Sequence, residues 1–418
     1  MRSRLGLRCS FWNVGQGLFS SGCILRENEA VFHWVYDCGT LSGLDLIKSA
    51  ISKYNNSVKK SDIDLLVLSH FDSDHINGVG ELLKNRKVKY WVVPYYPKWQ
   101  RLVIAAALNI DASDEIFGFY NNPIEYLNRY FDNELSDTEI LLLPVQDNEI
   151  EFSIDEDNAL SNENNDEMLI FTEDKEQPDE FSSIKSKFKL RWLNPRKALL
   201  KKIGNELFEF VLYNVSFYSL IKGMNAKIDI IQFKKCVSEI IQKNSTNPVW
   251  ELREFYKDVF GESYNKNIIS QYLYVREITN DTAYNIIYYP YPYPYPYPYL
   301  YPYSYYYYRW YDKSKNAILY TGDASLNKDS LLTDLKKSLG PNRMTKISCL
   351  QVPHHGSKHS WHEGLAQKLS PNISVFSSDP RDPRGYSHPN IEVLTDFFLN
   401  TPILVNKNFM LELEITSS

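Results

Sequence analysis

The sequence is short of several features, and each shortage excludes a class of protein. Its five cysteines (Cys9, Cys23, Cys38, Cys236 and Cys349) are odd in number, widely scattered and without CxxC spacing. That excludes a disulfide scaffold or a zinc ribbon and fits a reducing compartment. There is no basic excess: 46 Lys and Arg against 52 Asp and Glu give a formal charge of -6. Nucleic acid cannot be gripped by overall charge, so any such role needs a local patch or bound metals. Long apolar runs are missing too. The longest one away from the strands, Leu102–Ile110, is far short of the roughly 20 residues that span a membrane. The first residues, Met-Arg-Ser-Arg-Leu-Gly-Leu-Arg, lack a sustained apolar core and read as the approach to a strand. No signal peptide is therefore expected, and the expected location is the cytoplasm.

What is present is the balance of a globular chain, 43% hydrophobic and 23% charged, able to bury a sizeable core. Its length suits one large domain or two to three ordinary ones. Leu5–Val14, Leu18–Leu25 and Ala30–Tyr36 read as strands separated by turn residues, and Leu44–Tyr54 has helical spacing. Asp64–Ser69 is a continuous apolar run, as in a strand buried on both faces. A short helix (Asn77–Asn85) and another strand (Val88–Val93) follow, which is an α/β order.

The middle is less regular. Leu102–Asn133 reads as helical, and Glu139–Pro144 and Phe188–Leu193 as strands. Residues 147–182 are acidic and poor in large apolar side chains, which predicts a mobile loop. Several amphipathic helices are expected over 197–260. The tract Tyr288–Tyr308 alternates Tyr and Pro, and proline removes ladder donors, so it cannot be a central strand. From Asn316 the α/β pattern resumes, with strands Ala317–Tyr320, Ile347–Val352 and Ile373–Ser377 and helices Ser330–Leu339, Trp361–Lys368 and Ile391–Leu399. The expected division is 1–145 and 271–418 as two halves of one domain around an insertion at 146–270, which offers a surface for a protein partner.

Histidine is scarce, eight in all, yet His70, His75, His354, His355 and His388 all sit just after strands. His70-x-Asp72-x-Asp74-His75 packs four ligand-type side chains into six residues. A loop of that length can turn alternate side chains toward two neighbouring cations, which can share and activate a hydroxide. Asp323 also follows a strand, and Gly322 before it permits a tight turn, making Asp323 the natural bridging carboxylate.

These pieces carry a resemblance. Asn13-Val-Gly-Gln-Gly17, Asp37-Cys-Gly-Thr40, Ser69-His-Phe-Asp-Ser-Asp-His75, Tyr320-Thr-Gly-Asp323, Val352-Pro-His-His-Gly-Ser357 and Ser387-His-Pro389 occur in the order seen in the metallo-β-lactamase superfamily. The set resembles the hydrolase domain of ComEC-type competence proteins and covers roughly residues 1–95 and 275–400. It departs from the pattern at Leu18, where a polar residue is usual, and at Gly78-Val-Gly80, where Gly-Gly is.

The resemblance implies an α/β fold, an αββα sandwich with the metals at one edge of two packed sheets. His70 and Asp72 would hold one metal, and Asp74 and His75 the other. Asp323 would bridge, and His354 or His355 would complete the shell. His388 would ligate or act as general acid, and Asp37 would orient the metal loop from behind. Asp74, His355 and His388 are thus the expected catalytic residues.

Asp72 in a second position often held by histidine makes the site oxygen-rich. Two divalent ions are expected, manganese or zinc, with magnesium also compatible. Such a site suits phosphate oxygens, so the expected activity is that of a phosphodiesterase or nuclease acting on nucleic acid or a nucleotide. An ester, thioester or lactam hydrolase, and a metal-bound sensor, are the alternatives. Lys358, Arg381 and Arg384 near the metal-edge loops are the candidate contacts to an anionic substrate.

Overall fold

The computed structural model describes residues 5–417 apart from 59–61, 85, 108–109, 115, 131–136, 146–166, 176–187, 216–228, 244–247, 261–269, 279–282, 292–310 and 382–387. The Tyr-Pro tract from residue 292 onward, most of the acidic stretch and Arg384 lie outside the described residues.

The N-terminal strands are β1 (Leu5–Phe11), β2 (Phe19–Arg26), β3 (Glu29–Cys38), β4 (Ile63–Val67), β5 (Val88–Tyr95) and β6 (Glu139–Pro144). The middle supplies β7 (Met168–Leu169), β8 (Thr172–Glu173), β9 (Lys189–Leu193), β10 (Leu199–Ile203) and β11 (Glu206–Asn214). Then come β12 (Gln271–Glu277), β13 (Tyr284–Tyr291), β14 (Ala317–Tyr320), β15 (Ile347–Gln351) and β16 (Ile373–Ser377), and finally β17 (Pro402–Val405) and β18 (Met410–Ser417). They form a ten-stranded sheet, β13-β18-β1-β2-β3-β4-β5-β6-β9-β8, and an eight-stranded one, β17-β16-β15-β14-β12-β11-β10-β7.

Side-chain alternation explains why the sheets stack. Leu5, Leu7, Cys9 and Phe11 of β1, Trp34 and Tyr36 of β3, and Leu65 and Val67 of β4 share one core with Phe208, Phe210 and Leu212 of β11 and Ile318 and Tyr320 of β14. That period of two puts alternate residues between the sheets. The intervening residues face outward under helices. Val35, Leu66 and Trp91 meet Ile47, Ile51 and Tyr54 of the helix Leu44–Ser57. On the other side Val211, Tyr274 and Leu319 meet Phe233 and Val237 of the helix Ile230–Gln242 and Leu332 and Leu335 of the helix Asp329–Leu339. Three cores between four layers make an αββα sandwich. The run in β4 is buried on both faces, as its composition predicted, because Leu65 and Val67 face in while Ile63 and Leu66 face out.

The helical reading of 197–260 is corrected over its first third. Leu199–Ile203 and Glu206–Asn214 form an antiparallel hairpin through the two-residue turn Gly204-Asn205, with Gly204 at φ 62. The aromatic and β-branched run Phe208-Glu-Phe-Val-Leu-Tyr213 fits a pleated surface better than a helix. Among the described residues of this stretch, the first helix begins at Ile230. The helical reading of 102–133 is met, among the described residues, by three short helices, Lys98–Ala107, Phe117–Asn121 and Pro123–Tyr130, the last opening at a proline. Residues 288–291 of the Tyr-rich tract close β13, an edge strand, where Pro290 is tolerated. Among the described residues no helix is long and apolar enough to cross a membrane. All five cysteines are free thiols.

The topology decides where chemistry can sit. Strands β3, β4, β5, β6 and β9 run parallel in one sheet and β14, β15, β16 and β17 in the other. Asp37, His70, Asp323 and His354 all lie at or just beyond the C-terminal ends of these strands, the edge at which open α/β layers present ligand sites.

Candidate metal centre

The turn after β4 carries His70 and Asp72 and then enters the single helical turn Ser73–Ile76, which buries Asp74 and His75. It is held from behind by Asp37, fully buried and at φ 57. One Asp37 oxygen accepts the Ser69 N–H at 2.6 Å; the other accepts Ser69 Oγ at 2.6 Å and His75 Nδ1 at 2.7 Å. Ser69 Oγ spends its proton on Asp37 and so receives His70 Nδ1 at 2.8 Å. His355 Nδ1 donates to the Ser377 carbonyl at 2.6 Å, and His354 Nδ1 lies 2.8 Å from Ser360 Oγ. All four imidazoles are therefore fastened through Nδ1, and all four turn Nε2 inward.

What they face is the carboxylate of Asp323, split between them. Oδ1 lies 3.1 Å from His75 Nε2 and 3.4 Å from His355 Nε2. Oδ2 lies 4.0 Å from His70 Nε2 and 3.7 Å from His354 Nε2. Asp74 joins the first group, 3.3 Å from His355 Nε2 and 3.9 Å from His75 Nε2. Asp72 joins the second, 3.7 Å from His70 Nε2. Asp74, His75, Asp323 and His355 present ligand atoms within 4.8 Å of one another. Sequence spacing left His354 and His355 as alternatives. In the structure both converge on Asp323, on opposite oxygens, because both take the left-handed conformation (φ 48 and 56) and splay the two rings apart.

The donor set fits divalent cations. An imidazole whose Nδ1 carries the proton presents a lone pair at Nε2, and here that lone pair meets an anionic oxygen. Such an arrangement is repulsive unless a proton or a cation lies between. The Nε2 atoms of His70 and His75 are buried and form no hydrogen bond, which is costly for a polar atom left so. The local field points the same way. Burial works against a charged His75, yet Asp323, Asp37 and Asp74 outweigh it and raise its pKa well above the ordinary value. His355 is raised likewise by Asp323 and Asp74 against burial. A site with that appetite for protons offers the same negative potential to a metal ion.

The other groups respond to burial. It pushes His70 and His354 down to about 4, and it raises Asp72, beside Asp74 and Asp323, to about 7. Burial also opposes ionisation of Asp74 and Asp323, but His75 and His355 prevail and hold both below the usual carboxylate range.

Of the remaining sequence candidates among the described residues, His388 neighbours this cluster through His354. His388 is half-buried with its ring 5.6 Å from that of His354, and burial together with His354 and His355 lowers its pKa to about 4. Lys358 and Arg381 are exposed and stand outside the imidazole–carboxylate contacts. Arg384 lies outside the described residues. Sequence reasoning missed the neutral residues that fix the backbone: Ser270, whose Oγ accepts the Asp323 N–H at 3.0 Å, and Gln351, which bonds the turn before it. The one signal for Gln351 was a large polar side chain ending a wholly buried strand.

Gly322 has no substitute. Its φ is +54, and a Cβ there would meet Ser270 Oγ at 2.3 Å and Ser69 Cβ at 2.5 Å. Gly322→Ala combines left-handed strain with a clash against the metal loop, and is expected to cost about 2 kcal/mol or more. Urea denaturation measures it; an unchanged midpoint would show that the turn relaxes freely.

Comparison with known proteins gives a consistent picture over part of the chain. Residues 21–135 match the model described as the metallo-beta-lactamase superfamily, a span holding Asp37 and the His70–His75 cluster. Recombination protein 2 of Haemophilus influenzae is 35% identical over 80 residues, which is 19% of this chain and 9% of that protein. The metallo-beta-lactamase fold protein YhfI of Bacillus subtilis aligns over 97% of this chain and 99% of its own, at 10% identity and a TM-score of 0.36. A long form RNase Z from yeast aligns over 97% of this chain and 41% of its own, at 10% identity and a TM-score of 0.29. Those two scores are too low to carry an argument. The match of residues 21–135 to the metallo-beta-lactamase superfamily model stands without them, and the αββα layers with their edge cluster are consistent with it.

Proposed function

We propose that the chain is a hydrolase that uses two divalent cations to cleave phosphodiesters, with nucleic acid or a nucleotide as substrate. The observation that carries this reading is the Asp323 carboxylate, one oxygen shared by His75 and His355 and the other by His70 and His354. In this reading His70, Asp72 and His354 hold one ion, Asp74, His75 and His355 hold the other, and Asp323 belongs to both. Bound cations supply Lewis acidity, making water nucleophilic near neutral pH and offsetting the charge that develops on the attacked group.

The protein's part is placement. Three carboxylates in the donor set harden the site and favour manganese or magnesium more than an all-imidazole set would, with zinc also accommodated. Hard cations pair with phosphate oxygens, which supports a phosphodiester over a lactam or thioester. The stretch shared with a protein named for recombination supports the same direction. His388, beside His354 on the more exposed side of the cluster, is held neutral near pH 7 by its lowered pKa and in this reading donates an N–H hydrogen bond to the leaving group. Lys358, Arg381 and Arg384 would steer an anionic substrate toward the same edge.

The test is a cleavage screen with manganese-loaded protein on single- and double-stranded DNA, RNA, a cyclic nucleotide, a model phosphodiester and a model thioester. Phosphodiester cleavage that disappears with chelator and returns with manganese is the expected result. Thioester cleavage with no phosphodiester cleavage would overturn the substrate class but keep the hydrolase. Two bound ions with no turnover of any substrate would favour a sensor.

A further inference from the structure

We propose that Gln351 is a positioning residue for the metal centre: its side-chain amide fixes, at once, the two turns that carry Asp323 and His354. Gln351 ends β15 and is fully buried. Its Oε1 accepts the backbone N–H of Thr321 at 2.9 Å and that of Gly322 at 2.7 Å, while the Thr321 hydroxyl lies 3.2 Å from it and 2.8 Å from the Gln351 backbone carbonyl. Its Nε2 donates to the carbonyl of Gly322 at 3.3 Å and to that of Val352 at 2.8 Å. Two N–H groups face one end of the amide and two carbonyls face the other, so only one orientation of the amide satisfies them. Both lone pairs and both hydrogens are used.

The bonds matter because of what they hold. Thr321 and Gly322 lead directly into Asp323, and the Gly322 carbonyl that Gln351 reaches also accepts the His354 N–H at 3.0 Å. Val352 begins the turn that throws His354 and His355 to opposite sides. Strands β14 and β15 end side by side, with Leu319 opposite Leu350, so their first turn residues would otherwise meet edge to edge with unpaired donors. Glutamine is the neutral side chain that offers two acceptors and two donors at this reach. Asparagine is one methylene too short, and a charged side chain matches only half the set. Metal-ligand geometry depends on such outer contacts, whose loss typically weakens affinity 10–100-fold.

The inference rests on the reading of the cluster as a metal centre, and the experiment keeps the two apart. The full chain is titrated with cobalt(II), reading the affinity and the visible absorption of the bound ion, for wild type, Gln351→Met and Gln351→Glu. Gln351→Met keeps the volume and removes every hydrogen bond of the side-chain amide. Gln351→Glu keeps both acceptor bonds, so it stays measurable where Gln351→Met fails to fold. Both are expected to bind cobalt 10–100-fold more weakly, with an altered absorption spectrum. Glu209→Gln, far from the cluster, serves as the control: it lowers the unfolding midpoint and is expected to leave the cobalt spectrum unchanged. Wild-type affinity and spectrum in the Gln351 variants, with cobalt binding normally to wild type, would overturn the positioning role alone. The same holds if Glu209→Gln perturbs the spectrum as much as they do. No cobalt binding to wild type would overturn the metal centre itself.

Discussion

Asp323→Ala is expected to remove both cations at once and to lower turnover by a factor of about 10³ or more, because Asp323 is the carboxylate that faces both halves of the cluster, one oxygen to each. That factor corresponds to roughly 4 kcal/mol of lost transition-state stabilisation. Each Asp323 oxygen faces a different pair of imidazoles, at 3.1 and 3.4 Å on one side and 4.0 and 3.7 Å on the other. Asp72 and Asp74 each face one side. Asp72→Ala and Asp74→Ala should therefore leave one ion per chain by elemental analysis, and Asp323→Ala none that survives dialysis. Asp74→Ala is also expected to abolish activity without unfolding the protein. Two ions retained by Asp323→Ala would refute the bridging assignment whatever happens to the rate.

Much of this centre was legible in the sequence because its largest part is local. His70, Asp72, Asp74 and His75 lie within six residues after an apolar strand, and the chain there has no room to send them apart. The distant members could be ordered by resemblance but not oriented. His354 and His355 were interchangeable on spacing, and what splays them is a pair of positive φ values that histidine tolerates better than most residues but that its residue type alone does not dictate. The role of Gln351 was not legible for a related reason. A buried amide is recognised by its four partners, and those partners come from two turns some thirty residues apart.

The fold divides along the same line. Strands with clean alternation or continuous apolar runs, such as β3, β4 and β16, were placed to within a few residues. β18 was not foreseen, although it sits between β1 and β13 and pairs Leu411 with Phe11. Local pattern says nothing about a partner 400 residues away. The hairpin β10–β11 was misread for the opposite reason: leucines and lysines at 199–202 imitate an amphipathic helix, and tertiary pairing with β12 and β7 decides.

The largest expected effect on stability lies away from the chemistry, at Glu209. This carboxylate is fully buried on the outward face of β11, 3.2 Å from Arg276 Nε and 3.0 Å from Arg343 Nε. Arg276 is its direct neighbour across the ladder to β12, and Arg343 reaches in from the short helix Pro341–Thr345, also donating to the Leu339 carbonyl at 2.9 Å. Glu209→Ala strands two buried guanidiniums without a counter-charge, and is expected to cost about 3–5 kcal/mol. For a domain stable by roughly 5–15 kcal/mol that is a large share. The charge itself is not what the fold requires. A triple replacement, Glu209→Met with Arg276→Met and Arg343→Met, removes every stranded charge and should recover most of the loss, because apolar packing can replace a buried ion cluster. Urea denaturation of the single and triple variants measures both. A single variant within 1 kcal/mol of wild type would mean that water reaches the arginines. Glu209 lies five residues down β11 from Asn214 at the metal edge, about 17 Å at the rise of a strand. Its loss should therefore lower stability and leave metal content at two ions per chain, which separates what holds the sandwich together from what the sandwich holds.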